Sequence, residues 1–254
     1  MGKKWTVVVT TAPRKACTCV ATLESLEDCG WKPAVFAEPG SSPTGDRMRF
    51  DNHERLGVWH NWLKAARWAI EQPSDYIMTV QDDTDFHPES RVLVEETPWP
   101  EDAGYVSLYT PKHYQFWRNG SARPNGLYSV NTQSMWGAVA LVFRPNTLRS
   151  LIEHPRAHSW AGVRCKKRSN WPALREKRVA NPHMIQNSDT IIGSILTRTF
   201  GLKLYYFNPS PCAHISNHST CGHGGNRGRR NAFFIADSSI PILEQINGCW
   251  STSK

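Results

Sequence analysis

Short apolar blocks punctuate the first hundred residues, separated by polar breaks that contain Gly or Pro. Trp5-Thr-Val-Val-Val-Thr10 is a β-branched run and predicts a first strand. Thr11 to Lys15 predicts a loop. Cys19 to Cys29 spaces Val20, Leu23 and Leu26 at helical intervals and predicts a helix. Pro33-Ala-Val-Phe-Ala37 predicts a second strand, closed by Glu38-Pro-Gly40, and a Gly/Ser/Pro-rich loop runs on to Asp46. Leu56 to Glu71 predicts a long helix that buries Val58, Trp62, Ala65, Ala66 and Ala69. A third strand at Tyr76-Ile-Met-Thr-Val80 completes a β-α-β-α-β order, which argues for an α/β sandwich with a mostly parallel central sheet and helices on both faces.

After Pro100 the rhythm loosens. Strands are expected at Gly104–Tyr109, Gly137–Phe143 and Leu204–Phe207, and helices at Asn146–His154 and Ser188–Thr199. The pattern divides the chain into a nucleotide-binding half (1–100) and a second half (101–220), with a basic insertion at 156–178 and a Gly- and Arg-rich tail at 221–254. No internal repeat is visible, and one domain accounts for the whole chain.

The third strand ends in Gln81-Asp82-Asp83-Thr84-Asp85, which brings chemistry into the pattern. A buried strand cannot keep three ionised acids in its own core, so they must emerge at its carboxyl end. Ligands bind at that end in open α/β sheets. Hard oxygen donors there suit Mn²⁺ or Mg²⁺, and such a cation usually carries a phosphate-bearing substrate. A solvated Asp-rich turn is the plainer alternative. Thr10, Thr11 and Arg14 fall at the end of the first strand, where hydroxyls and a guanidinium can hold a diphosphate or a base. Glu38, ending the second strand, can accept from a ribose or base.

The segment Asn208-Pro-Ser-Pro-Cys-Ala-His-Ile-Ser-Asn-His-Ser-Thr220 also follows a strand. Its Pro209-Ser210, His214 and Ser219-Thr220, taken with the acidic strand end, resemble the metal-dependent GT-A-type glycosyltransferases. The likeness is to the N-acetylglucosaminyltransferase IV-like group and its phage and bacterial relatives. The chain departs from that pattern at Ser216, where Gly is usual, and at Gln81, where an acid is usual. The resemblance implies a GT-A-like, Rossmann-type fold and a nucleotide-sugar donor, with a UDP-sugar favoured. It implies Asp83 and His214 as metal ligands, joined by Asp85 or Asp82. Asp82 would also touch the donor. It makes Asn61, in Gly57-Val-Trp-His-Asn-Trp62, a nucleotide contact and Trp62 a packing residue. It places a catalytic base at Asp189, ahead of a helix whose dipole favours a carboxylate; a helix cap is the alternative there. Trp136 becomes a candidate wall for a sugar.

Charge decides the expected acceptor. The net charge is +8, and Arg156 to Arg178 holds eight basic residues against one acid, with Trp160 and Trp171 among them. Lys166, Lys167 and Arg168, with Arg227, Arg229 and Arg230 in the tail, suit a polyanion. The favoured reading is therefore inverting, metal-assisted sugar transfer to a hydroxylated (5-hydroxymethyl) pyrimidine in phage-type DNA. A glycan, polysaccharide or protein acceptor is the first alternative, and a non-enzymatic nucleic-acid-binding protein the second. A phosphotransferase or nucleotidyltransferase with the same metal logic also fits, although no Gly-x-x-x-x-Gly-Lys-Ser/Thr loop is present. Seven cysteines in no recognisable framework suggest a reduced, cytoplasmic protein, in a host cytoplasm if phage-encoded. The cluster Cys212, His214, His218, Cys221 and His223 leaves a small zinc site open. No membrane association and no obligate protein partner are expected.

Overall fold

The computed structural model describes residues 2–14, 17–111, 114–117, 119–130, 137–160 and 188–215. The first half follows the expected alternation: β1 (Trp5–Thr11), α1 (Cys19–Asp28), β2 (Pro33–Ala37), β3 (Arg49–Asp51), α2 (Gly57–Ile70) and β4 (Tyr76–Gln81). Then come β5 (Thr84–Phe86), α3 (Ser90–Glu96), β6 (Ala103–Ser107), β7 (Gly126–Val130), β8 (Ala140–Phe143), α4 (Pro145–Glu153) and α5 (Pro155–His158). The described chain closes with α6 (Ser188–Arg198), β9 (Lys203–Asn208) and β10 (Cys212–His214).

Eight strands form one sheet in the order β3-β2-β1-β4-β8-β6-β9-β7, and β10 pairs with β5 in a separate ribbon. The pairs β1·β2, β1·β4, β2·β3 and β6·β9 are parallel, while β4·β8, β6·β8 and β7·β9 are antiparallel. The sheet is thus mixed, and the expectation of a mostly parallel one holds only for its first half. Antiparallel β8, wedged between β4 and β6, is what breaks the parallel run.

Period-two alternation sorts side chains into two cores. Val7 and Val9 face α1 and α3, alongside Leu23, Leu26, Leu93, Met78 and Val80. Val8 and Phe36 face the opposite way, onto α2, α4 and α6, with Trp59, Trp62, Leu148, Leu151, Ile191 and Ile195. Both faces are covered, so the central strands read as continuous apolar runs. β5, Thr22 and Ser25 show how the second ribbon is held. The Thr84 amide donates to the Thr22 hydroxyl at 3.0 Å and the Phe86 amide to the Ser25 hydroxyl at 3.3 Å, so α1 completes hydrogen bonds that no strand supplies.

Among the described residues no helix is long and apolar enough to cross a membrane.

Candidate active site

The chain reverses its progress through the sheet between β1 and β4. β2 and β3 lie on one side of β1, and β4 and the later strands of this sheet lie on the other. Such a switch point opens a crevice at the strand ends. Here β1 ends in Thr11 and β4 leads directly into Asp82 and Asp83.

Arg14 binds both carboxylates. Its Nε donates to Asp82 Oδ1 at 2.8 Å, a second nitrogen donates to the same oxygen, and Nη1 lies 2.8 Å from Asp83 Oδ2. The Thr11 hydroxyl donates to Asp82 Oδ2 at 2.5 Å, and the Thr18 hydroxyl donates to the Asp82 carbonyl at 2.7 Å. Asp82 and Asp83 are only 2% and 3% exposed, so two carboxylates sit side by side almost out of water. That placement is tolerable only because a guanidinium spans them.

The two acids differ in character. Burial pushes the Asp82 carboxyl upward, against the pull of Arg14 and Thr11. Burial pushes Asp83 the same way, but His214 and Arg14 outweigh it and hold Asp83 below its ordinary value. His214 reaches Asp83 from β10, with Nε2 at 2.9 Å from Oδ2. Asp83 Oδ1 and His214 Nδ1 are both buried without a hydrogen-bond partner.

Ser210 explains how His214 arrives there. Its hydroxyl donates towards the Leu108 and Cys212 carbonyls, at 3.1 and 2.6 Å, and accepts the Thr110 amide at 3.0 Å. Fully buried, it staples the start of β10 to the chain beyond β6. The Ile215 amide then donates to the Asp83 carbonyl at 2.9 Å and fixes the ribbon beside the acids. In the sequence Ser210 stands out only as part of the Pro209-Ser210 motif. Thr18 and Thr22 carried no recognisable signal there, because lone threonines at a helix start are common.

Several expected site residues are placed differently. Asp85 does not join Asp83 and His214. His214 is paired with Thr84 and Ala213 with Asp85, so the Asp85 side chain projects from the other face of the ribbon, where it is exposed. Asn61 is not open to a nucleotide. Its amide donates to the Phe36 carbonyl at 3.0 Å and its oxygen accepts from Asn52 Nδ2 at 3.0 Å, inside the core beneath α2. Trp62 is 4% exposed and packs in that core as expected. The Thr10 hydroxyl turns back to the Val80 carbonyl at 3.4 Å. Asp82 is engaged by Arg14 and Thr11, so its evident work is to shape the loop after β1.

Glu38 lies beside Thr11, whose carbonyl accepts the Glu38 amide at 3.0 Å. One carboxylate oxygen takes the Leu56 amide at 2.9 Å, at the start of α2; the other, Oε1, is buried and unpartnered. Burial pushes this carboxyl upward.

Asp189 is tied to the same rim. The Gly137 amide donates to its Oδ2 at 3.2 Å and the Thr190 amide to its Oδ1 at 2.7 Å. Two residues past Gly137, the Val139 carbonyl accepts the Gln81 amide at 2.8 Å, at the end of β4. Both Asp189 oxygens thus accept backbone N–H groups. Those two bonds fix the carboxylate's orientation at the rim. Trp136, Lys166, Lys167, Arg168, Arg227, Arg229 and Arg230 lie outside the described residues, as do His218, Cys221 and His223. Cys212 is fully buried among apolar side chains.

No group of three or more His, Cys, Asp or Glu side chains is poised around a metal among the described residues. Among the described residues, Asp83 and His214 are the pair that stands together at this strand end. A pair suits a cation that arrives with phosphate oxygens and water completing its shell.

No family model matches the chain, and no curated protein matches it either. Among solved structures, it is similar to HddC from Yersinia pseudotuberculosis, with a TM-score of 0.38 and 9% identity over 61% of this chain and 81% of that one. The same protein complexed with GMP-PN gives a TM-score of 0.37 and 10% identity over the same shares. Against these neighbours the expectation of sugar transfer to a hydroxylated pyrimidine is withdrawn, together with its glycan-acceptor and purely nucleic-acid-binding alternatives.

Proposed function

We propose that the crevice between β1 and β4 is the site of a nucleotide-binding transferase that works at phosphorus, moving a nucleotidyl group from a nucleoside triphosphate to an anionic acceptor such as a sugar phosphate. The observation that carries this reading is Arg14 bridging Asp82 and Asp83, with His214 closing on Asp83 at the sheet's switch point. Arg14 meets phosphate oxygens as a planar fork. Asp82, itself held by the Thr11 hydroxyl, and Asp83 hold that fork, so it needs little reordering when the nucleotide enters. Asp83 and His214 would hold a divalent cation, Mn²⁺ or Mg²⁺, which when bound offsets the negative charge gathering on the leaving phosphates.

An ionised phosphate oxygen is already a nucleophile, so this chemistry needs charge neutralisation and orientation but no general base. In keeping with that economy, the Asp189 carboxylate is anchored by the Gly137 and Thr190 amides rather than projecting freely into the crevice. Glu38 Oε1, buried beside Thr11, would accept from the ribose or base. The GT-A-like character of the sheet remains part of the proposal, since nucleotide binding at a switch point depends on strand order rather than on the group transferred.

The test is release of pyrophosphate from each of the four nucleoside triphosphates with Mn²⁺ and a panel of sugar 1-phosphates. Release that depends on the acceptor and disappears in Asp83→Ala is expected. Nucleoside diphosphate release from nucleotide sugars, without pyrophosphate from any triphosphate, would sink the reading.

A further inference from the structure

The connection from β6 to β7 carries a second feature, separate from the crevice. Residues 115–117 and 119–123 pair as the two sides of a small hairpin. The Arg123 amide donates to the Gln115 carbonyl at 2.8 Å, the Trp117 amide to the Ser121 carbonyl at 2.8 Å, and Phe116 bridges Ala122. Gly120 makes the turn at φ +85, a left-handed conformation that suits glycine.

Two large aromatics stand in solvent on this hairpin, Phe116 at 36% and Trp117 at 44% exposure. They are not loose. The Arg123 guanidinium lies 4.0 Å from the Trp117 ring centroid and 5.3 Å from that of Tyr128 on β7. Trp117 meets Tyr128 edge-on at 6.0 Å, and Tyr128 rests on Tyr206, which in turn packs on Tyr114. Asn208 on β9 donates to the carbonyls of Arg123 and Pro124 at 2.8 and 3.0 Å. An exposed indole is therefore anchored to the sheet through a rigid aromatic stack, with a cation beside it.

Charge says what such a platform suits. Between Asp102 and Glu153 the sequence contains no acidic residue at all, while Lys112, Arg118, Arg123, Arg144 and Arg149 fall in that stretch. No carboxylate pairs with Arg123 among the described residues. A pre-placed aromatic ring beside an unopposed cation offers stacking and phosphate attraction together. That combination favours a polyanion with exposed planar rings over a neutral glycan or an acidic peptide.

We propose that the Phe116–Trp117–Arg123 hairpin is a binding platform for single-stranded nucleic acid, with a base stacked on Trp117 and the backbone drawn to Arg123. The interior of a duplex and purely charged polymers fit less well, because a base stacked on both sides has no free face to give the indole and a charged polymer has no ring.

The test is fluorescence anisotropy of a labelled twenty-nucleotide oligothymidylate. The matching duplex and heparin serve as competitors, across a salt series. Binding to the single strand in preference to the duplex is expected. Trp117→Ala should weaken it about tenfold, while Trp117→Phe, which keeps a ring, should restore most of the affinity. Arg123→Gln should flatten the salt dependence by about one unit of log–log slope. Trp117 is exposed, so Trp117→Ala should melt like the parent protein, and binding of a nucleotide in the crevice should be unchanged in it. Failure of crevice chemistry would leave this result standing, and the reverse also holds. Unchanged affinity in Trp117→Ala, equal preference for duplex, or displacement by heparin with no effect of either variant would overturn the proposal and leave a merely basic surface.

Discussion

At Gly137 a single hydrogen atom decides whether the rim of the crevice can form. Its φ is +90, and a Cβ placed there would come within 3.1 Å of two Tyr109 ring carbons. Tyr109 in turn lies beside His214, with ring centroids 6.3 Å apart. Gly137→Ala should therefore cost about 1–3 kcal/mol of stability from backbone strain alone, measurable as a lower midpoint in urea. It should also weaken Mn²⁺ binding, because Tyr109 must move and His214 packs against it. Arg14 gives the contrasting case, where charge is kept and geometry is lost. Arg14→Lys preserves a cation beside Asp82 and Asp83 but removes the fork that spans them, so nucleotide affinity should fall by about tenfold or more in a titration. If lysine binds nucleotide as well as arginine does, Arg14 is only a counterion. The acidic pair was visible in the sequence as residues that no strand interior can hold. That Arg14 would be the group to bridge them was less visible, because it depends on how the loop after β1 folds back over the end of β4.

Among the elements, α2 shows how a helix can be read correctly and one of its residues misplaced. Its apolar face is legible from spacing, and Trp62, Ala65, Ala66 and Ala69 are all buried. Asn61 lies on the same face and was expected to meet a nucleotide. It instead joins β2 to the segment after β3, through Phe36 and Asn52, with Lys64 donating to Asn52 Oδ1 at 2.6 Å. Asn61→Ala should leave the Phe36 carbonyl and the Asn52 amide unsatisfied and cost about 1–3 kcal/mol, with nucleotide affinity of the folded protein unchanged. A selective loss of affinity at unchanged stability would restore the nucleotide contact. Glu38, at the junction of β2 and α2, makes a prediction in pH. Burial raises its carboxyl in the folded protein, so the folded state holds a proton that the unfolded chain releases near the ordinary value of 4.5. This contribution to stability is fully present below pH 4.5 and is lost as pH rises through the folded value. Glu38→Gln should therefore flatten the fall in melting temperature above pH 4.5. An unaltered profile would mean that Glu38 does not carry that dependence.

At the scale of the whole molecule, the site joins segments far apart in the chain: the loop after β1, the end of β4 and the ribbon that ends at His214. A ligand that binds all three should stabilise the folded state as one unit. Nucleotide with Mn²⁺ at one hundred times its dissociation constant should add about 2.7 kcal/mol to unfolding, and Asp83→Ala should abolish the gain. Equal stabilisation of parent and variant in thermal melts would place the ligand elsewhere. The sequence by itself determined what depends on neighbours along the chain. The β-branched runs of β1, β2 and β4, the helical spacing in α1 and α2, and the acids that had to leave a strand end all follow from local periodicity and from the cost of burying charge. Short β3, β5, β7 and β10 escaped notice because Arg49-Phe-Asp51, Thr84-Asp-Phe86, Gly126-Leu-Tyr-Ser-Val130 and Cys212-Ala-His214 hold no sustained apolar run like those of β2, β6 and β8. Only the tertiary structure decided that β8 runs antiparallel between β4 and β6, and that Ser210 carries His214 to Asp83. It also set the register of β5 and β10, which turns Asp85 away from them. Each of those outcomes rests on strand direction or one-residue register between distant segments. Such pairings are fixed by the packing of both sheet faces at once, and no local stretch of sequence contains that information.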